Sequence, residues 1–384
     1  MTDSAAHAAV ESVVRMESAR LIAGLARYAG DLGLAEELAQ DAVVAALEQW
    51  PGEGVPRNPG AWLMTVAKRR AVDLFRRNHE LRLKYAQIGR ALEAEGDAVT
   101  PDFDRAFSDD IDDDLLRLIF TACHPVLAVP ARVALTLRLL GGLTTAEIAR
   151  AYLIPEATVA QRIVRAKKAL AQAQVPFEVP GPAERPARLA SVLEVVYLIF
   201  NEGYSASAGE DLVRGELTAE AIRLGTILCG LMPDEAEVLG LTALMLLQDS
   251  RRLARQDDDG RLMLLPDQDR RRWDAGQIER GCRLLDRAVR FRSPGPYQLQ
   301  AAIAALHARA PAPEETDWPQ IAALYRRLWG LHPTPVVALN RAVAIAMAAG
   351  PEAGLEDMDA AGIAVPLAEY LPFHAGRAEL LRRA

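Results

Sequence analysis

The segment Leu143–Leu170, LTTAEIARAYLIPEATVAQRIVRAKKAL, constrains the chain more than any other because it encodes two helices and the turn between them in purely local signals. Thr144 is followed three residues later by Glu147, a reciprocal cap that satisfies orphan amides at a helix start, so a short helix is expected through Ala151. Leu153-Ile154-Pro155 then breaks it. Proline is tolerated in the first turn of the next helix, where its missing N–H has no intrahelical role. Val159, Ile163, Ala166 and Leu170 recur at i, i+4, i+7 and i+11, which predicts one buried stripe on that second helix. Thr158, Gln161, Arg162, Arg165, Lys167 and Lys168 fall on its other faces. A tight hairpin whose second helix is basic outward suits the major groove: Arg and Lys attract phosphates and reach guanine edges, while Thr158 and Gln161 are short polar readers. An ordinary helical hairpin with a solvated charged face would carry the same pattern.

The remainder is also helical in pattern, with strand-like alternation nearly absent and aromatic residues at only 5%. A length of 384 residues suggests two or three domains, and 51% hydrophobic content is ample for their cores. The formal charge of −8 excludes a uniformly basic nucleic-acid binder, so DNA contact has to come from local patches. Cys123, Cys229 and Cys282 are far apart and suggest neither a disulfide framework nor a paired-cysteine zinc site. With no apolar run approaching the roughly 18 to 20 residues that span a bilayer, and no leader-like start, a cytoplasmic location without membrane contact is expected.

Nearer the N-terminus, Asp31–Trp50 (DLGLAEELAQDAVVAALEQW) reads as a helix with Leu34, Leu38, Ala42 and Ala45 inward, and Glu36, Glu37, Gln40 and Asp41 toward the other side. A Pro- and Gly-rich loop, Pro51–Gly60, leads into a second helix, Ala61–Arg77, with Leu63, Ala67 and Leu74 on its buried face. Lys68, Arg69 and Arg76 point largely away from that face. Nine Lys or Arg between Arg57 and Arg90 face two acidic residues, Asp73 and Glu80, a basic patch of the kind a phosphate backbone needs. A solvated helix face would account for it as well.

Taken in order, AEELAQDA, the Trp-Pro boundary, AWLMTVAKRRAVDLFRR, an acidic linker and LTTAEIA…ATVAQRIVRAKKAL resemble the extracytoplasmic-function branch of the sigma-70 family over roughly residues 8–172. The resemblance implies a transcription initiation factor whose partners are core RNA polymerase and promoter DNA. Glu36, Glu37, Leu38, Gln40 and Asp41 would dock the polymerase clamp helices. The loop from Pro51 to Gly60, with Arg57 and Asn58, would hold a base flipped from the −10 element, and the helix carrying Trp62, Lys68, Arg69, Arg76 and Arg77 would grip that strand. Extruding a base costs a few kcal/mol, which a preformed pocket and phosphate contacts must offset. Thr158, Gln161, Arg162, Arg165, Lys167 and Lys168 would read the −35 element as duplex.

These readings give an all-α chain: a region 2 bundle over 8–78, a linker over 79–111, a region 4 helix-turn-helix domain over 112–174, a Pro-rich connector over 175–186 and a helical extension over 187–384. Glu93–Asp114 holds ten acidic residues against Arg105, a run that could occupy a channel built for RNA or could simply be solvated. In the extension, breaks are expected at Asn201-Glu202-Gly203, Met232–Asp234, Asp257–Gly260, Ser293–Pro296, Ala310–Pro313 and His332-Pro333. Helical hairpins between such breaks resemble a tetratricopeptide-like stack, and Thr316–Pro351 is near that repeat's period of about 34 residues. Arg270, Arg271 and Arg272 with Asp267, Asp269 and Asp274 suggest salt-bridged networks between helices, or a regulatory groove for a peptide, another part of the chain, or polymerase. No HExxH helix, GxSxG elbow or phosphate-binding glycine loop occurs, and Cys123-His124 reads as packing, so neither an enzyme nor a metal or cofactor site is expected. The alternative to a sigma factor is a helical protein-interaction scaffold with a residual DNA-binding module; the extension is expected to modulate activity through contact with the sigma regions or with polymerase.

Overall fold

A computed structural model describes residues 3–89, 111–205, 211–257 and 261–384, with only the backbone course given for 3–12, 14–16, 78–89, 111, 205 and 211–214. The described residues are helical as expected; they contain no strand beyond one isolated bridge between Gln256 and Leu262. No helix among them is long and apolar enough to cross a membrane. Most of the acidic linker, residues 93–110, lies outside the described residues. The chain divides into two compact units, Met1–Leu198 and Ile199–Ala384.

In the first unit, α1 (Asp3–Ala29), α2 (Leu32–Glu53) and α3 (Pro59–Gly89) form one bundle. Asp31 starts α2 by accepting a 2.8 Å hydrogen bond from the Leu34 amide. Alanines let α1 and α2 approach closely: Ala23, Ala26, Ala35, Ala39, Ala42 and Ala46 are all buried. The turn is shorter than Pro51–Gly60, because α2 continues to Glu53 and ends on Gly54 at φ +86°, and α3 begins at Pro59. α3 also runs past Arg77 to Gly89, through sequence that holds neither proline nor glycine until its end.

α4 (Ile111–Ala122), α5 (Val129–Leu139), α6 (Thr145–Ala151) and α7 (Glu156–Gln172) follow, and α1 packs on both α4 and α5. Regions two and four therefore share one unit. The first half of α8 (Arg185–Ser205) belongs to it too. Ser191 donates to the Cys123 carbonyl at 2.6 Å, Arg188 to the Phe120 carbonyl at 3.0 Å, and Arg132 of α5 to Ser191 and to Glu194 at 3.0 Å. Burial raises the Cys123 thiol to about 11, and its sulfur meets Thr136 Oγ1 at 3.4 Å, as a packing residue should.

α8 does not break at Asn201-Glu202-Gly203 but continues through Ser205. A helical glycine costs only about 1 kcal/mol, and the end of this helix is pinned: Arg251 donates to the Tyr204 hydroxyl at 3.0 Å, and the Arg255 guanidinium lies 3.8 Å from the Tyr204 ring centroid. The second unit continues with α9 (Asp211–Leu231), α10 (Ala236–Asp249), α11 (Ala275–Arg290), α12 (Pro296–Arg309), α13 (Trp318–Leu331), α14 (Pro335–Ala349), α15 (Pro351–Ala360) and α16 (Leu371–Arg383), each packed on the next. α10 is buried almost all round, from Val238 to Leu247, and also touches α12. The expected arginine–aspartate network between helices is absent as drawn. Arg271 pairs locally with Asp269 at 3.0 Å, Asp274 caps α11, and Arg270 donates to the His307 and Ala310 carbonyls at 2.7 and 2.6 Å, closing the C-terminal end of α12.

Where α15 crosses α14, a Cβ on Gly354 would come within 2.4 Å of the Ala346 Cβ and 2.8 Å of the Ala342 carbonyl. Gly354→Ala should therefore destabilise the second unit by about 1–3 kcal/mol despite alanine's better helix propensity. Thermal unfolding checks this; an unchanged or raised midpoint would show that the crossing can relax.

Candidate nucleic-acid interface

The helix-turn-helix is built as its local code requires. Glu147 N donates to Thr144 Oγ1 at 3.1 Å and Thr144 N to Glu147 Oε2 at 2.7 Å, so the cap is reciprocal. Leu153 turns the chain at φ +50°, an uncommon conformation for a non-glycine residue, and Pro155 is the N-cap of α7 rather than its first helical residue. Thr145 Oγ1 donates to Glu156 at 2.9 Å and ties the two helix starts together. Thr144→Ala should cost about 1 kcal/mol, readable in chemical denaturation followed by far-UV circular dichroism.

Val159, Ile163, Ala166 and Leu170 form the buried stripe of α7. On the surfaces left over, Gln161, Arg165 and Lys168 are exposed and Thr158 and Arg162 half-buried. Arg162, Arg165 and Lys168 make no ion pair with a described residue. At about 1.5 Å per residue, the helix is long enough to lay this face along a groove.

The second candidate surface surrounds the α2–α3 turn. Arg57, Asn58, Arg69, Arg76 and Arg77 are exposed, and Lys68 is half-buried. Asn58 also has a local duty, accepting from the Ala61 amide at 3.1 Å at the start of α3. Trp62 is half-buried and packs edge-on to the buried Trp50, with ring centroids 5.3 Å apart, which fixes the angle between the end of α2 and the start of α3.

The α2 residues are not all where the helical pattern put them. Glu37 and Gln40 are exposed, and Asp41 pairs with Arg70 of α3 at 3.0 Å. Leu38 is 3% exposed and can support a surface only from beneath. Glu36, expected outward, is 7% exposed and turned toward region four, where it accepts from Arg138 Nε of α5 at 2.6 Å and from Lys167 Nζ of α7. Burial opposes its ionisation, but the Lys167 hydrogen bond and charge together with Arg138 outweigh that and hold the carboxyl below its ordinary value. Among the described residues, Lys167 is thus the one α7 candidate cation engaged in an ion pair within the chain. Arg138 went unnoticed in the sequence, where it is one basic residue in the last turn of an apolar helix.

Sigma-70 region 2 matches residues 13–80, sigma-70 region 4 matches 117–170, and a family of unknown function (DUF6596) matches 188–289. An uncharacterized protein of Rhizobium meliloti (strain 1021) is 46% identical over 360 residues, covering 94% of this chain and 84% of its relative. No solved structure matches the chain.

Proposed function

Since the chain belongs to the sigma-70 family, as an extracytoplasmic-function-type sigma factor with a helical C-terminal extension, we propose that it directs core RNA polymerase to promoters by contacting the −10 and −35 elements through separate surfaces. The observation that carries this reading is the outward face of α7, where Gln161, Arg162, Arg165 and Lys168 stand opposite a sealed apolar stripe. A helix held that way offers charge to phosphates and donors to base edges without exposing its core. Lys167 joins this face when it is released from Glu36. Thr158, near the start of α7, contributes a short polar contact.

The −10 strand is assigned to the α2–α3 turn with Arg57 and Asn58 and to the face of α3 with Trp62, Lys68, Arg69, Arg76 and Arg77. Core polymerase is assigned to α2 through Glu37, Gln40 and Asp41, with Leu38 beneath them and Glu36 at the edge. The extension modulates these activities. Purified chain added to core polymerase should yield transcripts with defined 5′ ends from a genomic fragment library, and a library that gives none would remove the reading. Glu37→Lys combined with Gln40→Lys should weaken capture of core polymerase about tenfold or more, the scale of removing interactions at the centre of a protein interface. Equal capture in a pull-down titration would move the docking surface elsewhere.

A further inference from the structure

Glu36 sits on the helix assigned to polymerase docking, Lys167 on the helix assigned to the −35 duplex, and the two are paired with each other. Arg138, which has no assigned contact with polymerase or DNA, completes the pair from α5 at 2.6 Å and braces the turn before α6 by donating to the Leu143 carbonyl at 3.2 Å. A second polar bridge spans the same two regions: Asp114 of α4, 5% exposed, lies 3.6 Å from Arg27 of α1 and 2.5 Å from Arg117 on its own helix. α1 packs on α4 and α5 around these charges.

From this arrangement we infer that region four is an internal competitor for the docking surface of region two: the chain rests with Glu36 clasped by Arg138 and Lys167, and core polymerase must undo that clasp to bind. The inference rests on the docking role proposed for α2. It follows from two properties of the contact. One ion-paired triad withdraws a group from each working surface at once, so neither is complete while it holds. Because the desolvation of paired charges offsets most of their attraction, and every member regains water on release, the closed and open arrangements lie near each other in free energy. A contact of that kind is easily outcompeted by a partner that binds only the open form. A purely apolar seam of similar size would lose its whole burial on opening.

The full-length chain tests this, with dye labels carried on unnatural residues at positions 48 of α2 and 171 of α7, both exposed and both outside the assigned contacts. Arg138→Glu places a second carboxylate against Glu36 and should increase the label separation and tighten capture of core polymerase about tenfold, as expected when a minor binding-competent population becomes the major one. Lys167→Ala leaves the Leu143 carbonyl bond in place and should move both readouts the same way, so a folding defect peculiar to Arg138→Glu does not decide the matter. Core polymerase added to the unaltered chain should separate the labels as well. Unchanged separation and unchanged capture in Lys167→Ala would overturn the clasp while leaving the docking surface standing. Labels that separate in both variants without any gain in capture would instead overturn it through its premise, that Glu36 lies on the surface polymerase uses.

Discussion

With Arg162 and Arg165 both changed to Glu, transcription from a promoter the protein recognises should fall by roughly two to four orders of magnitude, each arginine's interaction with DNA being worth about 1–3 kcal/mol. Capture of core polymerase should be unchanged. The separation of effects follows from where the side chains lie. Arg165 is exposed, Arg162 half-buried, and neither has an ion-pair partner among the described residues, so reversing them disturbs no internal salt bridge there. The stripe that holds α7 in place, from Val159 to Leu170, is untouched. Carboxylates on that face repel the duplex. If these arginines meet phosphates, the dependence of promoter affinity on salt should also flatten, by about 0.9 in the log–log slope for each phosphate that is no longer neutralised. Band-shift titrations at several salt concentrations, run beside pull-downs on core enzyme, measure both quantities. Full promoter activity in the double variant would take α7 out of DNA recognition.

Features encoded within a turn or two of helix were legible from the residues alone. The Thr144–Glu147 cap, the break before Pro155 and the α7 stripe depend on neighbours at most a few positions apart, and the structure has all three. Glu36 was misplaced for a different reason. The inward line of α2 was drawn through Leu34, Leu38, Ala42 and Ala45, whereas the buried residues also include Ala35, Ala39 and Ala46. Alanine is weakly apolar and fits either side of a helix, so hydropathy did not locate the centre of that line. Moving it by one residue brings Glu36 to its edge. The cations that meet Glu36 are 102 and 131 residues further along the chain, and no local pattern signals such a pairing. The end of α8 illustrates the opposite error. Asn201-Glu202-Gly203 carries the residues of a stop, but Arg251 and Arg255 hold Tyr204 and the helix continues. Local preference near 1 kcal/mol is small beside such tertiary contacts.

Removing everything after residue 180 should unfold region four, and the resulting drop in activity would then say nothing about regulation by the extension. The cut deletes the first half of α8, in which Leu189, Val192, Leu193, Val195 and Val196 are buried. Each such side chain contributes about 1.5–3 kcal/mol on burial. It also strips the acceptors from Arg132, which is 8% exposed, and stranding a buried charge costs several kcal/mol more. Against a total stability of about 5–15 kcal/mol for an ordinary domain, these penalties exceed what a four-helix fragment can absorb. A chain ending after residue 205 keeps all of these interactions. Residues 1–180 should therefore melt without a cooperative transition and be cleaved rapidly within α4–α7 by protease, while residues 1–205 should retain a folded region four. In the full-length chain, Ser191→Val should lower stability by about 1–3 kcal/mol, because the Cys123 carbonyl and the Arg132 guanidinium are each deprived of a buried partner. Should residues 1–180 unfold as cooperatively as 1–205, α8 would be an appendage of the first unit. Otherwise α8 completes that unit, and any regulatory part of the extension begins beyond it.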